Sequence, residues 1–161
     1  MSAVVEAALG SRVEPHELRS RLEVGDWDAL SRTLGVVAQP ELEALGERVP
    51  DIETILFCTA DGLNLCTLGV YERDVGRLSA LTSSIFSVAM ALRKAAQADS
   101  AGLTVHLSAE ETHTVLVSVH LPDVGDFVLG AQASDIQHAV LLVETRRTAE
   151  DLTQKLASVA R

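Results

Sequence analysis

Ile52-Glu-Thr-Ile-Leu-Phe-Cys-Thr59, Ala60-Asp-Gly-Leu63 and Leu65-Cys-Thr-Leu-Gly-Val70 form two β-type runs around an Asp61-Gly62 pair. Asp-Gly between such runs predicts a tight hairpin, because both turn positions ask for positive φ. Gly62 directly after Asp61 makes that aspartate a turn residue rather than a lone catalytic carboxylate. Cys58 and Cys66 sit inside the two runs and read as small core hydrophobes, kept reduced in a cytosolic chain. A near-opposed pair bridging the hairpin is the alternative.

Downstream the period changes. Asp74 to Ala98 reads as a long helix, with Leu78, Leu81, Ile85, Val88 and Leu92 in the alternating three-four spacing of a packed seam. Its other sides are small or apolar: Ala80, Phe86, Ala89, Met90 and Ala91, with Ser79, Ser83 and Ser87 in a row. Such a helix needs cover on more than one side. After the Ser100-Ala-Gly102 break come alternating runs at Leu103 to Leu107 and Thr114 to Leu121, with a two-residue turn at Glu110-Glu111, and a third run at Phe127 to Ala131. Connections this short require antiparallel neighbours. A last helix is expected from Ser134 as N-cap to the end. Its stripe of Ile136, Val140, Val143, Leu152, Leu156 and Val159 is interrupted by a polar stretch, Glu144 to Asp151, expected to face water or a polar partner.

Upstream, the first third reads as short helices between breakers. One runs from Pro15 to about Val24 and stops at Gly25; a second runs from Asp26 as N-cap to Leu34, before Gly35; a third begins at Pro40 and ends near Arg48. Residues 1–38 are read as a helical N-terminal extension, and residues 39–161 as an α+β domain built on a five-stranded antiparallel sheet.

Composition narrows the function. Thirteen Lys and Arg stand against 23 Asp and Glu in 161 residues, a net charge of −10, which disfavours nucleic acid and anionic membrane surfaces. Five aromatic rings cannot form a base-stacking platform. Met1 to Gly10 holds Glu6 and no basic residue ahead of its apolar run, unlike a signal peptide, and no stretch is read as the roughly 20 apolar residues of a spanning helix. A cytoplasmic location is expected, without membrane insertion.

Catalytic constellations are missing. The chain has no phosphate loop, no dinucleotide fingerprint and no C-x-x-C pair. Counting from the Glu110-Glu111 turn puts His106 opposite Val115 and His113 opposite Ser108, with His120 towards the far end, so the three are not expected to converge on a metal. Ser83, Ser84 and Ser87 lack a nucleophile elbow and read as packing residues. Arg146 and Arg147 are candidate contacts to a partner's phosphate, with a solvated face balanced by Glu144, Glu150 and Asp151 as the structural alternative. No catalytic residue, cofactor or metal is assigned.

Ile55-Leu-Phe-Cys-Thr-Ala-Asp-Gly-Leu63, the Ser79-Ala-Leu-Thr-Ser-Ser-Ile-Phe-Ser-Val-Ala-Met-Ala-Leu92 helix and the sheet after it resemble the Roadblock family, the dynein light-chain-like domains that include bacterial regulators of the MglB type. The resemblance covers about two-thirds of the chain, from Asp51 to about Ala160. It implies a sheet between the middle helix on one face and the first and last helices on the other; profilin-like and longin domains share that sandwich. It also implies a homodimer joined through the middle helix and third strand, here Leu78, Leu81, Ser84, Ile85, Val88 and Leu92 with Thr104 and His106. Family members bind small Ras-like GTPases, and some stimulate their hydrolysis. The expected function is therefore a non-catalytic GTPase regulator, the alternative being a scaffold that works through the N-terminal helices without a GTPase.

Overall fold

Along Ile52–Thr59, Ile55 and Phe57 point to one side and Leu56 and Cys58 to the other, and all four are buried. A strand covered on both faces belongs inside a sheet with helices on each side. The computed structural model describes residues 24–98 and 102–159, and shows that arrangement. In chain order the elements are α1 (Val24–Arg48), β1 (Ile52–Thr59), β2 (Asn64–Leu68), α2 (Glu72–Ala95), β3 (Thr104–Ala109), β4 (Thr112–Leu121), β5 (Gly125–Ser134) and α3 (His138–Val159). The five strands form one antiparallel sheet in the order β2-β1-β5-β4-β3.

The register fixes what each face carries. Ile55 lies opposite Ala131, Ala131 opposite Val115 and Val115 opposite His106, so these four share one face. That face packs under α1 and α3, where Leu34, Leu42, Leu45, Leu141, Leu152 and Leu156 are fully buried against Phe57 and Phe127, whose rings stack with centroids 5.7 Å apart. On the other face Leu56, Cys58, Leu116 and Val128 form a smaller core under Phe86 of α2.

The hairpin is present with a longer turn than the sequence suggested. Only Gly62 takes positive φ, at 94°, while Asp61 does not. Residues 60–63 make the turn, closed by the Thr59 and Leu63 backbones and by Leu63 N donating to Thr59 Oγ1 at 2.9 Å. Cys66 pairs with Phe57 rather than Cys58, which puts the two cysteines on opposite sheet faces; both are free thiols.

The first helices also differ. The helix expected from Pro15, with its Leu18 and Leu22, lies almost wholly outside the described residues, as do Met1 to Gly10. Gly25 and Asp26 are inside α1 rather than between helices, and Gly35 and Pro40 do not break it. Gly35 faces β2, where a Cβ would stand 2.6 Å from the Leu65 carbonyl oxygen, so the absence of a side chain sets how closely helix and strand approach. Pro40 removes one helical hydrogen bond, but it and Val36 one turn earlier are exposed, leaving the freed carbonyl open to water. The helix thus runs unbroken through the boundary expected at 38/39, and Leu34 and Ala38 share a core with Leu42.

At the other end β5 continues to Ser134, paired with Thr112. Asp135 follows with φ 54°, and α3 starts only at His138, so Ser134 is not its cap. The polar stretch is divided between two sides: Arg146, Arg147 and Glu150 face water as expected, while Thr145, Thr148 and Ala149 are buried. The threonine hydroxyls donate to the carbonyls of Leu141 and Glu144, which lets polar residues line the interior of a helix packed on a core.

Candidate interaction face

The middle helix α2 is the least covered of the three helices. Glu72 and Asp74 lie in its first turn and Arg93 and Lys94 in its last, signs that complement the helix dipole. Only Ser79 and Phe86 are buried along its length. Ser83 Oγ donates to the Ala60 carbonyl at 2.6 Å, tying this side to the hairpin turn. By length and composition alone the helix is apolar enough to cross a membrane, a property that the sequence reading assigns to no stretch.

Opposite Phe86, the seam faces outward. Leu81 is 49% exposed and Val88 and Leu92 are each 69% exposed, with Ser84 exposed between them and Leu78 and Ile85 half-buried at the margin. From Arg77 to Ala98 there is no carboxylate, in a chain of net charge −10. Fully burying one such side chain is worth about 1.5–3 kcal/mol, so a contiguous apolar stripe left in water is a strong incentive to associate.

β3 is an outer strand of the sheet, and its Val105 packs on the small core under α2. Thr104 and His106, the third-strand residues of the implied dimer surface, have their side chains on the α1–α3 face, because His106 pairs with Val115 and Thr104 with Val117. Val105 and the exposed Leu107 are the β3 side chains on the α2 side. Thr104 and His106 contribute to that edge through their backbones.

The remaining candidates are dispersed. Arg146 and Arg147 are exposed on α3, and Arg146 lines a cleft of about 360 Å³ with Thr104, Ser118 and Glu150. His120 bonds the buried Asp126 at 2.8 Å on the α2 side. His106, His113 and His120 do not converge, but His106 and His113 meet and His138 joins them; no sequence spacing signals that third ring. Among the described residues no group of three or more His, Cys, Asp or Glu is placed to hold a metal ion. Burial pushes the Cys58 thiol up to about 12, with the Asp61 charge adding to it, and burial alone raises Cys66 to about 12, so neither is a ready nucleophile.

No protein-family model matches the chain, and no curated protein matches it in sequence. Solved structures do match. A structure of MglB with a tetrameric arrangement is 16% identical with a TM-score of 0.64, over 77% of this chain and 90% of that one. The gliding protein MglB of Thermus thermophilus is 13% identical with a TM-score of 0.65, over 78% and 91%. A Roadblock/LC7 domain of Streptomyces avermitilis is 22% identical with a TM-score of 0.54, over 72% and 94%. At these identities the likeness is one of architecture: the chain has the Roadblock fold in its MglB-like form.

Proposed function

We propose that the protein is a non-catalytic regulatory module, a homodimer that binds a small Ras-like GTPase and modulates its hydrolysis or location in the cytoplasm. The observation that carries this reading is the exposed, carboxylate-free stripe of Leu81, Ser84, Val88 and Leu92, bordered by Leu78 and Ile85, on a helix whose inner side shares a core with Val105 of the edge strand β3. Two copies related by a twofold axis would bury the stripe against itself, and β3 would extend the sheet from one subunit to the other. The MglB-like fold supports the same choice, since one of the similar MglB structures has a tetrameric arrangement. In this assembly Arg146 and Arg147 stay outside the seam, available to an acidic or phosphate-bearing partner. Residues 24–38 then belong to the domain as the start of α1.

Titrating the purified protein into Ras-like GTPases from the same cell, with co-elution and GTP turnover as readouts, tests the partner. Association with one of them, with or without faster turnover, supports the regulator. Absence of association with all of them overturns it in favour of an assembly scaffold.

A further inference from the structure

Three imidazoles meet where the last helix begins. His106 comes from the edge strand β3, His113 from β4 and His138 from the first position of α3. Their ring centroids are 5.3 Å apart for His106 and His113, 5.3 Å for His106 and His138, and 5.7 Å for His113 and His138. His106 Nε2 and His113 Nδ1 are 3.2 Å apart, a hydrogen bond that needs one of the two nitrogens unprotonated.

We propose that this cluster is an acid-sensitive latch: neutral rings hold the first turn of α3 on the β3 edge, and protonation releases it. Two or three cations at these separations repel one another, and the 3.2 Å bond is lost once both nitrogens carry protons. The charged groups nearest the rings along the chain are Glu110 and Glu111 on the β3–β4 turn and Asp135 before α3, while Glu144 further along α3 is held by Arg48. None of their carboxylates bonds a ring; Asp135 and Glu111 meet only through their backbones, at 3.1 Å. Arg146, the nearest cation along α3, is two turns further on. Partial desolvation, with repulsion from His113 and His138 adding to it, holds His106 below the ordinary histidine range.

The sign follows from linkage. A histidine whose folded pKa is depressed binds fewer protons folded than unfolded, so the packing is intact above the ordinary histidine pKa and weakens as pH falls through it towards the depressed value. The ring contacts lie within one chain and need no GTPase.

Amide hydrogen exchange by NMR from pH 8 to 5, corrected for intrinsic rates, tests it on the full chain alongside His106→Gln and His138→Gln variants. In the wild type, opening at Leu142 and Val143 and along β3 should rise on acidification, by roughly tenfold per unit of depressed proton affinity. In both variants that rise should be lost, while amides of β1 and β5 are unaffected in all three. A pH profile of α3 opening that is flat in the wild type, or the same in wild type and variants, overturns the latch.

Discussion

Arg48 Nε donates to Glu144 Oε2 at 2.7 Å, while its Nη2 donates to Thr148 Oγ1 at 2.7 Å, so the last residue of α1 clasps the middle of α3. This clasp explains how the polar interruption in α3 sits against a packed core. Both side chains are about a quarter exposed, between the surface pairs that contribute little and the buried ones that are strongly coupled. Arg48→Ala and Glu144→Gln should each lower stability by about 1–2 kcal/mol in urea unfolding. The double variant should lose clearly less than the two losses added together. Full additivity would mean that the pair contributes nothing.

Gly35 and Gly76 should respond to alanine with opposite signs. In a helix interior alanine is favoured over glycine by about 1 kcal/mol. At Gly76 nothing lies within 4 Å of the new methyl group, so Gly76→Ala should stabilise by about 0.5–1 kcal/mol. At Gly35 the methyl group would meet the Leu65 backbone oxygen at 2.6 Å, and β2 cannot yield without disturbing its ladder. Overpacking of this kind costs about 1–3 kcal/mol, so Gly35→Ala should be a net loss. Thermal unfolding of the two variants against the wild type checks both signs.

Neither cysteine should label in the folded protein. At pH 8 an ordinary thiol is roughly a quarter ionised, whereas thiols raised to about 12 are ionised to about one part in 10⁴. A chromogenic disulfide reagent should find no reactive thiol within minutes in buffer and two per chain in guanidinium. Rapid labelling of the native protein would show that the hairpin opens readily.

Strand pairing was legible because period-two alternation and a two-residue turn at Glu110-Glu111 fix register by counting; His106 does lie opposite Val115 and His113 opposite Ser108. The same parity separates Thr104 and His106 from Val105 and Leu107, so the face of each is readable by counting. Helix boundaries were less legible. Gly35 and Pro40 carry the local signature of breakers, and only the proximity of β2 and the exposure of Val36 and Pro40 show why α1 passes through both. His138 could not be joined to His106 from spacing, because 32 positions and two strands intervene and only the turn at Asp135 brings α3 back over the edge. The outward seam of α2 was visible as periodicity alone, since Leu81, Val88 and Leu92 repeat on one face whatever lies opposite.

The central claim is that this seam is a subunit interface, and molar mass by light scattering at micromolar concentration, without detergent, tests it most directly. Val88→Asp is the informative variant, because a side chain 69% exposed within the subunit can change without disturbing the core. The account predicts a wild type of twice 17.2 kDa and a Val88→Asp protein of 17.2 kDa that keeps its helical circular dichroism, because burying an unpaired carboxylate at the seam is prohibitive. A wild type that runs as a monomer, that stays in solution only with detergent, or that remains dimeric as Val88→Asp would contradict it.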